Sequence, residues 1–304
     1  MTENLLDTIR VDFDAGSLWA MNFILALVMF GVALEISIAD FKSLWRKPKP
    51  LIIGLCSQFF VLPAVTFFLV LYLRPLPSIA LGMFMVAACP GGTISNFISY
   101  LAKANTALSV SLTAIATLLA IVMTPLNFHF WSTLYEPSPL QELLIDPLEM
   151  VKLVSLLLGL PLVCGMYLNY RSPKKAMRIA RILKVVSLLF FVFLIGIALY
   201  NNRTVFKDYI FYVFWIVLLH NLVAFSTGYS MAKLFGLSED NIRSLTIETG
   251  IQNSGLGLLL IFTFFDGLGG MALLAAFWGV WHIISGMILA SLWSLKPVQK
   301  EKLV

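Results

Sequence analysis

The chain has 304 residues, 60% of them hydrophobic and 12% charged, with a mean hydropathy of +0.91. Soluble domains carry about 25% charged residues, so the composition excludes a soluble globular domain and points to a polytopic membrane protein. The net charge of +5 and pI near 9.1 do not indicate nucleic-acid binding, because the basic residues are distributed as flanks of apolar stretches.

A helix needs about 20 apolar residues to cross the hydrocarbon. The N-terminus carries Glu3, Asp7, Asp12 and Asp14 in place of a basic signal-peptide region, so no cleavable signal is expected. Simple spans are predicted over Ser17–Ala39, Pro50–Leu73, Thr106–Trp131, Leu148–Tyr170, Ile179–Tyr200, Tyr209–Phe235 and Gly269–Ser294. Two further segments, Pro77–Lys103 and Glu239–Phe265, are interrupted. With both, the prediction is about nine crossings.

Basic residues test the alternation of loops. Lys42, Arg46, Lys47 and Lys49 follow the first span, Lys103 the third, and Arg171, Lys174, Lys175, Arg178, Arg181 and Lys184 surround the loop after the fifth. Lys233, Arg243, Lys296, Lys300 and Lys302 fall on that same side, leaving Arg10, Arg74, Lys152, Arg203 and Lys207 opposite. The N-terminus is therefore expected outside and the C-terminus in the cytoplasm. The order of span, span, broken segment, span occurs twice, over 17–131 and 179–294, with opposite starting sides and 148–170 as connector. Inverted repeats with one broken helix each mark secondary transporters, with the site at the breaks near the midplane.

The first break reads Cys89-Pro90-Gly91-Gly92-Thr93-Ile94-Ser95-Asn96. Pro90 removes a donor and the glycines free the backbone. Ser95 and Asn96 are expected to cap a new half-helix whose positive end favours an anion. In the next span Ser109 and Thr113 share a face, with Ser111 and Thr117 nearby; a single membrane hydroxyl often bonds only its own i−4 carbonyl. Gln58 is an isolated amide, by composition interhelical glue. The second break, Glu248-Thr249-Gly250-Ile251-Gln252-Asn253-Ser254-Gly255, lies between apolar runs. A carboxylate there costs about 2.5–3.5 kcal/mol on insertion scales, so Glu248 must be neutralised, paired or bound to a cation. Gly250 and Gly255 are expected to loosen the helix, and carboxylate, amide and carbonyl oxygens together suit a small hard cation such as Na+. His282 reads equally as a satisfied core group or as a substrate contact. Cys56, Cys89 and Cys164 are isolated packing residues, and His129, His220 and His282 lack metal-ligand spacing.

At Cys89–Asn96, Ala107–Thr113 and Glu248–Gly255 the chain closely resembles the bile acid:sodium symporter family, and the resemblance extends to Trp281–Gly286. It is similar to the nine-helix, bacterial-type members and to homologues of the apical sodium-dependent bile acid transporter. The resemblance implies an all-α inverted-repeat transporter in which two broken helices cross. A core domain (about 50–131 and 207–294) would stand beside a panel (17–39 and 148–200). It implies two Na+ sites: Ser95, Asn96, Ser109, Thr113 and Glu248 for the first; Gln58, Glu248, Gln252 and the carbonyls of Thr249 and Ile251 for the second. Substrate would meet Thr93, Ser95, Asn96, Asn253 and His282. The expected function is Na+-coupled import of an organic anion, a bile acid or a small carboxylate such as pantoate, across a cytoplasmic membrane by alternating access. A proton-coupled transporter or antiporter using Glu248 is the alternative. An intramembrane enzyme would need a nucleophile with a base or a second buried acid, and no such pair is evident.

Overall fold

A computed structural model describes residues 5–10, 48–135, 146–183 and 203–295, with isolated positions at 23–34 and 185–189. Most of the predicted spans Ser17–Ala39 and Ile179–Tyr200 lies outside the described residues, as does the acidic loop 136–145. The described chain is helical: α1 (Leu5–Thr8), α2 (Pro48–Leu73), α3 (Pro77–Ala88), α4 (Thr93–Leu101), α5 (Thr106–Leu134), α6 (Pro147–Arg171), α7 (173–183), α8 (Arg203–Leu234), α9 (Glu239–Gly250), α10 (Ser254–Phe264) and α11 (Gly269–Ser294). Among the described residues, five helices are long and apolar enough to cross a membrane: α2, α5, α6, α11 and residues Tyr209–Leu234 of α8. The protein is an all-α polytopic membrane protein.

Both interrupted segments are broken helices, α3/α4 and α9/α10. A long helix, a broken pair and a long helix follow one another twice, as α2, α3/α4, α5 and as α8, α9/α10, α11. The second break differs from expectation. Glu248, Thr249 and Gly250 are still helical, Gly255 lies inside α10, and the interruption is Ile251-Gln252-Asn253. Gly250 instead admits the Phe225 ring, which a Cβ at that position would strike. The first break also differs in its cap. Gly92 precedes α4 without a side-chain cap, and Ser95 and Asn96 sit in the first turn.

Two prolines widen the long helices. A π-helical turn, Ser57–Val61, precedes Pro63, and a second, Ser155–Gly159, precedes Pro161. A proline cannot give its N–H to the i−4 carbonyl and crowds it, so the preceding turn opens; the Leu62 N–H donates to Ser57 O, five residues back. Gln58 lies within the first of these turns.

The two ends of the broken pairs are tied differently. At one end, Leu6 is buried in the main core, Ser78 N–H donates to Asp7 Oδ1 (2.8 Å), and Gly269 N–H donates to Ile9 O (2.9 Å). At the other, Arg243 Nη1 donates to Ala102 O (2.9 Å) and Trp293 O (3.0 Å), Lys103 Nζ to Ser294 O (2.8 Å) and Ser244 Oγ to Asn105 O (2.8 Å). The apolar core between them joins α3, α5, α8, α10 and α11 around Met83, Phe128, Val217, Leu259 and Trp278.

Candidate functional site: crossing of two broken helices

The breaks meet directly. Asn253 N–H, in the second break, is shared between Pro90 O (3.1 Å) and Cys89 O (3.3 Å) of the first. Gly91 allows the approach: an added Cβ would lie 2.9 Å from Glu248 O and Ile251 O and 3.0 Å from Glu248 Oε1. Thr124 Oγ1 holds the last carbonyl of α3, Ala88 O, at 2.7 Å, and Asn221 Nδ2 holds that of α9, Gly250 O, at 2.8 Å. Each half-helix thus ends with its terminal carbonyl occupied, as a helix C-terminus in hydrocarbon requires.

Glu248 is fully buried at this crossing. Thr113 Oγ1 lies 2.6 Å from its Oε1 and Ser109 Oγ 2.9 Å from its Oε2. The same two hydroxyls also lie 3.0 and 2.9 Å from Asn96 Oδ1. Each hydroxyl has one proton to give, so two protons face three acceptor oxygens. Ser95 Oγ, 3.4 Å from Thr113 Oγ1, spends its proton on Gly92 O at 2.6 Å. No lysine, arginine or histidine is paired with Glu248 among the described residues. The cluster is rich in oxygen and short of positive charge, an arrangement suited to a hard cation. Ser111 and Thr117, by contrast, bond their own i−4 carbonyls at 2.7 Å.

A second group of oxygens lies beside the first. The carbonyl of Ile251 and Glu248 Oε1 converge on Gly91. Gln252 Nε2 donates to Thr249 O (2.7 Å), while Gln252 Oε1 is buried without a partner. Ser57, adjacent to Gln58, bonds Thr249 Oγ1 at 3.0 Å, which puts the α2 π turn against the end of α9. Both polar atoms of the Gln58 amide are buried and without a hydrogen-bond partner among the described residues. Among the described residues Gln58 thus makes none of the interhelical hydrogen bonds that its composition suggested. The missed signal was Pro63: the proline widens the turn that carries the amide.

The residues expected at the substrate sit in different surroundings. The Thr93 side chain lies outside the described set. Asn253 caps α10 through Leu256 N–H (3.0 Å), and its side chain lies 3.8–3.9 Å from where a Gly92 Cβ would be. Ser95 is fully buried and turned into the oxygen cluster, while Asn96 is half-buried. His282 is buried in α11, and neither ring nitrogen has a hydrogen-bond partner among the described residues. No group of three histidine, cysteine or acidic side chains forms a metal site among the described residues, and Cys56, Cys89 and Cys164 are free thiols.

Comparison with known proteins adds to this geometry. The model of the Sodium Bile acid symporter family matches residues 22–209, which include the first break and end before Glu248. The sodium-dependent transporter YocS of Bacillus subtilis is 35% identical over 286 residues, 93% of this chain and 86% of that protein. The probable sodium/metabolite cotransporter BASS1 of Arabidopsis thaliana is 30% identical over 269 residues, 88% of this chain and 65% of its own length. The human ileal sodium/bile acid cotransporter is 28% identical over 239 residues, 78% of this chain and 67% of that protein.

Proposed function

This chain belongs to the sodium bile acid symporter family, and from that premise we propose that it couples the inward movement of Na+ to uptake of a small organic anion. The observation that carries the reading is Glu248: a carboxylate fully buried at the crossing and, among the described residues, bonded by hydroxyls with no cationic side chain against it. An uncompensated buried charge costs several kcal/mol. Na+ against Glu248, Asn96, Ser109, Thr113 and Ser95 would supply the missing charge to the first cluster. Gln58, Gln252, Glu248 and the carbonyls of Thr249 and Ile251 would hold a second Na+. The unpartnered amide oxygens of Gln58 and Gln252 support this set. Both ions are cargo, drawn inward by their own gradient.

The ions and the anion support each other. Na+ fixes both breaks and neutralises Glu248. The first turns of α4 and α10 then present backbone N–H groups, with their partial positive charge, to an anion. Asn253, His282 and Thr93 stand as its polar contacts, with Asn96 between ion and guest. The substrate class is an organic anion, a bile acid or a small carboxylate such as pantoate. Coupling is reciprocal: substrate tightens Na+ as much as Na+ tightens substrate. Access alternates by movement of the core, which contains the crossing, against a panel that includes α6. The chain sits in a cytoplasmic membrane with its N-terminus outside.

A proton on Glu248 is the second reading, since it too would neutralise the carboxylate. It leaves the Gln58 and Gln252 oxygens without a role. Uptake into proteoliposomes under an imposed Na+ gradient, or a pH gradient without Na+, separates the two. Na+-driven uptake of a bile acid or pantoate that is lost in Glu248→Gln supports symport. Uptake driven by pH alone would replace it with the proton reading.

A further inference from the structure

The break in the second pair has carbonyls pointing in several directions, and an ion site needs particular ones. Residues that never touch the ion decide which. Gly250 O is the last carbonyl of α9, and Asn221, 1% exposed on α8, donates to it at 2.8 Å. The same peptide unit is held at its other edge, where Ile251 N–H donates to Ile247 O at 2.9 Å. Pinned at oxygen and nitrogen, that peptide plane has no freedom to rotate. Ile251 then leaves it in extended geometry (φ −112°, ψ 101°), which sends its own carbonyl toward Gly91. Thr249, on the preceding side, has its carbonyl bonded by Gln252 Nε2.

The amide of Asn221 is itself oriented. Ser285 Oγ, on α11, donates to Asn221 Oδ1 at 2.6 Å. Gly250 O can only accept, so the NH2 group of Asn221 is the end that faces it, and Oδ1 is turned to Ser285 Oγ, which also lies 3.2 Å from His282 O. Ser285, Asn221 and Gly250 form a chain of hydrogen bonds that runs from α11 through α8 to the break. Phe225, one turn further along α8, packs where a Cβ of Gly250 would stand.

We propose that Asn221 is a positioning residue of the second Na+ site: it fixes the peptide from which the Ile251 carbonyl is directed, and Ser285 holds Asn221. The inference rests on the Na+-symport reading above, and the test separates the two.

The purified full-length protein is titrated with NaCl against choline chloride, and the rise in Tm gives the half-saturating Na+ concentration. Uptake in proteoliposomes gives the substrate KM at saturating Na+. Asn221→Ala is expected to raise half-saturating Na+ about tenfold, the effect of one buried hydrogen bond. Substrate KM at saturating Na+ stays within about twofold of wild type. Ser285→Ala gives a shift of about threefold, and Ser285→Thr, which keeps the hydroxyl, restores the wild-type value. Tm in choline separately reads any loss of packing, and Ser226→Ala, whose hydroxyl only bonds Leu222 O on the exposed face of α8, serves as the unchanged control. Should Asn221→Ala not fold, the Ser285→Ala and Ser285→Thr pair decides the matter. Wild-type Na+ half-saturation in Asn221→Ala, or in Ser285→Ala where only that variant folds, overturns the proposal while Glu248→Gln still abolishes the Na+ response. A wild-type protein with no Na+ response overturns the symport reading and this inference with it.

Discussion

Four hydroxyls on one helix show how finely the site is divided. Ser109 and Thr113 reach Glu248, while Ser111 and Thr117 on the same helix bond their own i−4 carbonyls. Removing either of the first two takes an oxygen from a cation-deficient cluster. Ser109→Ala and Thr113→Ala are each expected to raise half-saturating Na+ for uptake by about tenfold, the equivalent of roughly 1.4 kcal/mol. Ser111→Ala and Thr117→Ala are expected to leave it unchanged; equal shifts in all four would dissociate the effect from Glu248. Gly91→Ala is the steric counterpart. Its methyl would press on Glu248 O, Ile251 O and Glu248 Oε1, forcing the breaks apart, and uptake should fall at least tenfold with surface expression retained.

Among elements, the short α1 does more than its length suggests. Leu6 is buried in the core, Asp7 caps the start of α3 and Ile9 O receives the first N–H of α11. N-terminal caps contribute about 0.5–2 kcal/mol. Asp7→Ala should therefore lower Tm in choline while half-saturating Na+ stays at the wild-type value; a changed Na+ response with unchanged Tm would place α1 in the ion site instead. The π turn of α2 is the other element-scale device. A span with a proline near its middle usually kinks; here the turn before Pro63 opens, and Gln58 is presented without a hydrogen-bond partner. Pro63→Ala is expected to close that turn to regular α-helix and raise half-saturating Na+. Unaltered Na+ dependence would detach the turn from the ion site.

For the whole molecule, the sign of the charge carried is decisive. Two Na+ entering with one monoanion move one net positive charge per cycle. An inside-negative potential across proteoliposomes should then speed uptake of a monoanion, and collapsing it with an ionophore should slow uptake. Uptake indifferent to potential would mean one Na+ per anion and would remove the second site. Lys103, Lys233 and Arg243 share one end with Ser294, and Asp7 and Gly269 share the other; we propose that the first of these ends is cytoplasmic. Cysteine labelling from either side of the membrane, at a site after Ser294, reports whether that end is cytoplasmic.

Much of this was written in one dimension. Apolar runs of membrane length and glycine and proline at two polar interruptions are local properties, so the five long spans among the described residues, the two breaks and the pairing of Ser109 with Thr113 on one face were legible in the sequence. So was the necessity of a partner for Glu248, because the cost of a charge in hydrocarbon does not depend on its neighbours in the chain. What the sequence left open are matters of approach across space. Gly250 and Gly255 read as helix breakers, yet the helix runs through Gly250 to make room for Phe225, and the interruption falls at Ile251-Gln252-Asn253. Gln58 read as glue by composition, yet it lies in the π turn and its amide has no hydrogen-bond partner among the described residues. Asn221 and Ser285 carried no signal at all, since a side chain that holds a carbonyl 29 residues away acquires its meaning only when α8, α9 and α11 are packed together.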